Sequence, residues 1–169
     1  MDIIKTAMQM ELDGQAFYER GAAATEIPAL KKVLLTLAEE EQKHFRIFRD
    51  MAQGNLSDAA TSLGESSETP AVVRSVFQQM VDDGIESLGG DTVRALWEAA
   101  LVIEEKSEAM YREAAANETD GERRRLLEKI ADEEKNHIYL VDNMLSFAKD
   151  PSSFLASAQY KNFMSWEGH

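Results

Sequence analysis

The chain has 169 residues, enough for one domain with a full hydrophobic core, and carries 18 Lys+Arg against 31 Asp+Glu for a formal net charge of −13. That balance disfavours nucleic acid and anionic membrane as partners, and the absence of cysteine excludes disulfides, thiolate zinc sites, iron–sulfur clusters and thiolate-held iron. No run approaches the ~18 apolar residues of a membrane span, and Met1-Asp2-Ile3-Ile4-Lys5 lacks a signal-peptide layout, so a soluble, cytoplasmic protein is the expectation.

Helical periodicity dominates, and three prolines and nine glycines punctuate it. The first long helix is expected over 2–24, closed before Pro28. The second runs over 28–53, with Pro28 in its first turn and Gly54-Asn55 beyond its end. A connection over 54–90 follows. Its first part, Asn55 to Thr69, is rich in Ser, Thr, Ala and Glu and reads as mobile. Its second part, Pro70 to Asp83, carries Val72, Val73, Val76, Phe77, Met80 and Val81 and reads as a short packed helix. The third long helix opens after Gly89-Gly90, with Asp91 as its N-cap, and ends near Asn117. The fourth spans 121–149 and is stopped by Pro151. The basic run Arg123-Arg124-Arg125, flanked by Glu122 and Glu128, reads as a solvated face of that helix.

No window combines strand alternation with β-branched enrichment, so the class is all-α. The links 1–2 and 3–4 are short and force antiparallel hairpins, whereas the 54–90 connection is long enough to return along a whole bundle. Two hairpins joined by one crossover is the ferritin-like way of building four helices. The expected organisation is a four-helix bundle over 1–150 and a short C-terminal tail over 151–169.

The second half repeats the first, 2–53 against 94–149. A shift of 93 residues, without a gap, lays Glu11 on Glu104, Tyr18 on Tyr111, Glu40 on Glu133, Glu41 on Glu134, His44 on His137 and Met51 on Met144. The hairpins should therefore be related by a pseudo-twofold axis, with matched residues meeting at the bundle centre.

The expected inward stripes are Ile4, Met8, Glu11, Gln15, Tyr18 and Ala22 on the first helix, and Leu34, Leu37, Glu41, His44, Phe48 and Met51 on the second. On the third they are Trp97, Leu101, Glu104, Glu108, Tyr111 and Ala115; on the fourth, Leu127, Ile130, Glu134, His137, Val141 and Met144. Each stripe is apolar except near its middle, where a carboxylate sits. Buried carboxylates must be paired, protonated or on a metal, and these stripes hold no Lys or Arg. They do hold two Glu-x-x-His pairs, Glu41…His44 and Glu134…His137, each able to grip one ion across one helical turn. With Glu11 and Glu104 these make the ligand set of a dinuclear, carboxylate-bridged metal bundle, in which four glutamates balance two divalent ions. Hard, carboxylate-rich donors of this kind accept iron, manganese or zinc, and the donor set alone does not choose among them. The third histidine, His169, ends the chain and is expected to be disordered.

Around this set, Glu39, Glu40, Glu105, Asp132 and Glu133 are read as solvated. Glu108, one turn after Glu104, is a candidate extra ligand. Tyr18 and Tyr111, which the repeat keeps in both halves, are read as site residues that donate a hydroxyl to a carboxylate of the other hairpin; the alternative is core aromatics with satisfied hydroxyls. The methionines are read as core filler.

The pattern Glu11…Phe17-Tyr18, Glu41-x-x-His44, Glu104…Met110-Tyr111, Glu134-x-x-His137 resembles the di-iron domain of rubrerythrin and its ferritin-like relatives over 2–149. The tail, with Phe154-Leu155 and Tyr160-Lys161-Asn162-Phe163, is similar to the family's short closing segment. The resemblance implies a non-haem di-iron centre bridged by Glu41 and Glu134 and completed by Glu11 with His44 and by Glu104 with His137. It implies reduction of hydrogen peroxide to water, with dioxygen as the alternative oxidant and the irons cycling between ferrous and ferric states. Two departures stand out. The chain has no cysteine for a rubredoxin centre, so turnover needs an external electron donor such as a rubredoxin. The family's extra carboxylate three residues after Glu104 is here Ser107. The competing expectations are ferritin-like iron oxidation and storage, a di-iron oxidase or oxygenase with an apolar substrate pocket, and a metal-free interaction module. A homodimer is expected by analogy.

Overall fold

A computed structural model describes residues 2–65, 67–83 and 89–168, with Met80 and Asp83 described by backbone alone; His169 lies outside the described residues. Four long helices carry the fold: α1 (Ile3–Ala24), α2 (Pro28–Ala52), α5 (Asp91–Asn117) and α6 (Gly121–Lys149). Four shorter ones complete it: α3 (Leu56–Leu63), α4 (Thr69–Asp83), α7 (Pro151–Leu155) and α8 (Ala158–Met164). Among the described residues there is no strand. α1 packs chiefly on α2 and α5 on α6, and the two hairpins meet through α1 with α5 and α2 with α6. This is an all-α, ferritin-like bundle.

The helix ends follow local chemistry. The Asp2 side chain accepts from the Ile4 and Lys5 amides to start α1, Pro28 lies in the first turn of α2, and Asp120 accepts from Arg123 N to start α6. At α5 the cap differs from expectation. Gly90 occupies the N-cap with φ 103°, and Asp91 is the first helical residue. The left-handed backbone favours glycine there, and Asp91 contributes its charge to the positive end of the helix.

The crossover is more structured than its composition implied. The expectation of a mobile Asn55–Thr69 is corrected over Leu56–Leu63, which forms α3 and lays Ala59 and Leu63, both buried, on the lower core. Two leucines and an alanine at helical spacing supply an apolar face that the surrounding polar residues conceal. In α4, Val73, Val76 and Phe77 are buried, as its pattern indicated, while Val81 is exposed. Arg123 is not simply solvated: it pairs with Glu118 and donates to the Met51 carbonyl, tying the α5–α6 link to the end of α2.

Two apolar clusters fill the bundle, and the polar site lies between them. The lower is built on Ile4, Phe48, Met51, Tyr111, Leu127 and Ile130. The upper contains Tyr18, Leu34, Leu37, Trp97, Val141 and Phe147, and extends into the tail through Phe154 and Phe163. The last two are 4% and 0% exposed, so the tail closes one end of the core instead of trailing from it. Burial of those two rings contributes about 1.5–3 kcal/mol each.

Candidate metal centre

The Glu-x-x-His spacing places Glu41 above His44 on α2 and Glu134 above His137 on α6, one turn apart on the inward face. Glu11 comes from α1 and Glu104 from α5. All six side chains are buried, none more than 4% exposed. They fall into two overlapping groups, each able to hold one metal ion: Glu11, Glu41, His44 and Glu134, and Glu41, Glu104, Glu134 and His137. Glu41 and Glu134 belong to both. The two imidazoles stack with ring centroids 5.5 Å apart and planes inclined by 21°.

The histidines turn Nδ1 toward the carboxylates. His44 Nδ1 lies 2.8 Å from Glu134 Oε1 and 3.5 Å from Glu11 Oε2. His137 Nδ1 lies 3.5 Å from Glu104 Oε2, 3.6 Å from Glu134 Oε2 and 3.7 Å from Glu41 Oε1. Yet neither Nδ1 has a hydrogen-bond partner, and neither do Glu11 Oε2, Glu41 Oε1, Glu104 Oε2 or either oxygen of Glu134. Seven buried donor or acceptor atoms converging without partners would be costly as they stand. Carboxylate oxygens and imidazole nitrogens are the ligand atoms of hard and borderline divalent ions, so this donor set fits a pair of them.

Two tyrosines fix the terminal carboxylates across the hairpins. Tyr18 of α1 donates its hydroxyl to Glu104 Oε1 of α5, and Tyr111 of α5 donates to Glu11 Oε1 of α1. In each pair the hydrogen bond takes one oxygen and leaves the other facing the cluster. Burial, and then the neighbouring carboxylates, push both phenols well above their usual range, so the hydroxyls keep their protons.

Electrostatics describe a cluster that holds protons when it holds no metal. Burial, followed by the charges of Glu104, Glu11 and Glu134, raises the Glu41 carboxyl well above the carboxylate range. Burial opposes charge on His44 and His137, but the carboxylates around them outweigh it and raise both imidazoles well above their usual value. Glu104 goes the other way, to about 2: burial opposes its ionisation, and His137, Glu134 and the Tyr18 hydroxyl overcome that.

Three expectations about neighbouring residues are corrected. Glu40 and Glu133 do not point to solvent; their side chains are 13% and 19% exposed and stand behind the histidines. His44 Nε2 lies 2.6 Å from Glu133 Oε2, and His137 Nε2 lies 3.9 Å from Glu40 Oε2. Burial opposes charge on Glu40, but His137 outweighs it and brings the carboxyl down to about 2. The repeat had already laid Glu40 on Glu133, which was the available signal. Glu108 stays outside the cluster, 3.3 Å from Arg112 on its own helix. Gln15 also turns outward, bonding Glu19. The inward positions beside them belong to the buried Gly14 and Ser107, which the same shift of 93 lays on each other. A Cβ on Gly14 would stand 3.3 Å from Glu41 Cδ, so glycine gives this carboxylate its room. Glu39, Glu105 and Asp132 are exposed, as read from the pattern.

Comparison with known proteins adds one result. The rubrerythrin family model matches residues 2–145, which takes in all six residues of the cluster. No curated protein and no solved structure gives a significant match. A match over most of the chain, to a fold and a donor set of this kind, places the protein in the rubrerythrin family.

Proposed function

We propose that the protein is a non-haem di-iron oxidoreductase that reduces hydrogen peroxide to water with electrons from an external donor such as a rubredoxin. The observation that carries this reading is the set of seven unpartnered, buried oxygen and nitrogen atoms that fall into two overlapping groups. In this reading Glu41 and Glu134, which belong to both groups, would be shared by two iron ions, Glu11 with His44 and Glu104 with His137 would supply the remaining protein ligands, and manganese or zinc could stand in the same donors. Held there, the iron pair would supply the two electrons that peroxide needs: H2O2 + 2 e⁻ + 2 H⁺ → 2 H2O.

The chain's own residues do the rest. The Nε2–H of His44 donates to Glu133, which fixes the ring and leaves Nδ1 free for a metal. The Tyr18 and Tyr111 hydroxyls hold one oxygen each of Glu104 and Glu11, so each of these carboxylates presents a single free oxygen. The apolar clusters above and below keep bulk water from the layer between them. Among the described residues no helix is long and apolar enough to cross a membrane. A cytoplasmic homodimer that meets its donor by diffusion remains our proposal for how the chain operates.

The test is peroxide consumption by iron-loaded protein with a chemical reductant or reduced rubredoxin. Turnover in the wild type and its loss in Glu134→Gln support the reading. A protein with two irons per chain and no turnover contradicts the activity, and tens of irons per chain would favour storage.

A further inference from the structure

Besides the two groups at the bundle centre, a third set of side chains has the geometry to hold a cation: Glu40, His44 and Glu133, with one donor atom each mutually within 4.8 Å. It lies on the outer side of the histidines. Glu40 and Glu133 also line a cavity of about 300 Å³, walled by the α3–α4 connection and by Trp166 to Gly168 after α8. Arg74 donates to the Trp166 carbonyl and holds that last wall in place.

The lining is acidic. Glu65 and Glu167 join Glu40 and Glu133 around the cavity, and its lining includes no lysine or arginine. The nearby cationic groups are Lys43, whose Nζ lies 3.5 Å from Glu133 Oε1 and 3.4 Å from the Glu65 carbonyl, and the His44 and His137 rings behind Glu133 and Glu40; the four carboxylates outnumber them. Part of Glu40 is already occupied, since Ser67 and Thr69 hydroxyls both donate to its Oε1.

A second feature points to a ligand. His137 is the one residue of the central six that lines the cavity. Its side chain is 95% buried, and its Nε2 faces Glu40 Oε2 at 3.9 Å, a long contact. The matching nitrogen of His44 is taken by Glu133 at 2.6 Å. One imidazole is thus held at short range, and the other borders an acidic space with its outer nitrogen in only a long contact to Glu40.

We propose that this cavity is the intake for divalent cations, with Glu40 and Glu133 receiving the ion at its floor and passing it by way of the His137 side to the central carboxylates. The inference rests on the reading of the centre as a metal site. It assigns Glu65 and Glu167 to gathering the ion, Glu40 and Glu133 to exchanging its water for carboxylate oxygen, and the loose His137 to giving way.

The experiment is stopped-flow uptake of Co(II) by the metal-free protein, followed by its visible absorption, with the final cobalt content measured separately. Glu65→Gln/Glu167→Gln removes two charges from the walls without touching the six central residues. Glu113→Gln/Glu122→Gln removes two from other exposed positions. The intake predicts uptake about tenfold slower in the first variant, a flatter dependence on ionic strength, and unchanged final cobalt, with the second variant close to wild type. Manganese-soaked crystals should show anomalous scattering between Glu40 and Glu133. Equal rates and equal salt dependence in both variants and the wild type would overturn the intake. No cobalt bound by any of them would overturn the metal reading beneath it, and the intake with it.

Discussion

The two hairpins answer the same problem twice, and they agree on the inside while differing on the outside. Facing the centre, each contributes a terminal glutamate, a Glu-x-x-His pair and a tyrosine that bonds the glutamate of the other hairpin. Behind the histidines the match breaks. Glu133 holds His44 at 2.6 Å and is itself 3.5 Å from Lys43, whereas Glu40 stands 3.9 Å from His137 and takes two hydroxyls from the α3–α4 connection. The position of Lys43 is Asn136 in the other half, and that of Gly14 is Ser107. Metal chemistry demands symmetry of the donors. The shell that orients them is free to diverge, and its divergence makes the two halves unequal.

Substituting the shared carboxylates should have the largest effect. Glu134→Gln or Glu41→Gln is expected to lose both ions, whereas Glu11→Gln or Glu104→Gln should retain about one per chain, as read by elemental analysis. Since Glu41 already tends to its protonated form without metal, Glu41→Gln should leave the melting temperature of the metal-free protein unchanged or higher. A lower one would contradict the electrostatic account.

The outer carboxylates should separate the halves. Glu133→Gln is expected to weaken one ion by 10–100-fold, and Glu40→Gln, whose contact is longer, to weaken the other by less, measured by competitive chelator titration. Equal losses would erase the asymmetry. Tyr18→Phe and Tyr111→Phe should by contrast behave alike, each costing about 1.5–3 kcal/mol in chemical denaturation, because each removes a buried hydrogen bond to a carboxylate.

Acidity supplies a further test. In the metal-free protein His44 and His137 have raised values, so their contribution to stability is complete below the unfolded value near ~6.5 and disappears as pH rises through the folded ones. Glu104 and Glu40, at about 2, contribute above the ordinary carboxylate range and lose that contribution as pH falls toward about 2. The metal-free melting temperature should therefore be highest in mild acid and decline into alkali. Metal must displace the imidazole protons, so loading releases protons and the loaded protein should gain relative stability as pH rises. Parallel melting curves across pH for the two forms would contradict this.

The smallest expected effect concerns backbone room. Gly14→Ala sets a methyl 3.3 Å from Glu41 Cδ and should lower metal affinity several-fold while leaving the fold intact. Ser107→Ala, the matching change, should be close to neutral.

Much of this was legible in the sequence because period and repeat reinforce one another. The helical stripes put Leu34 to Met51 and Leu127 to Met144 on buried faces, and the ungapped shift paired the residues that meet at the centre. What was less legible depends on small phase differences. Gln15 and Glu108 lie only about 100° of helix rotation from Gly14 and Ser107, and which of each pair faces inward depends on how closely the helices approach. Glu40 and Glu133 sit beside the inward stripe, and their roles appear only when the opposite helix brings a histidine to them. The α3 helix was hidden for another reason: eight residues hold too few apolar positions to show a period, and their burial is decided by the lower core.

The central claim is that the layer between the two apolar clusters exists to hold two metal ions. Metal content per chain after anaerobic loading with ferrous iron and removal of excess tests it most directly. Two irons per wild-type chain, falling to none in Glu41→Gln/Glu134→Gln, is the predicted result. A folded wild-type chain that retains no iron, manganese or zinc would contradict it, and would leave seven buried, unpartnered polar atoms to be satisfied by protons and water alone.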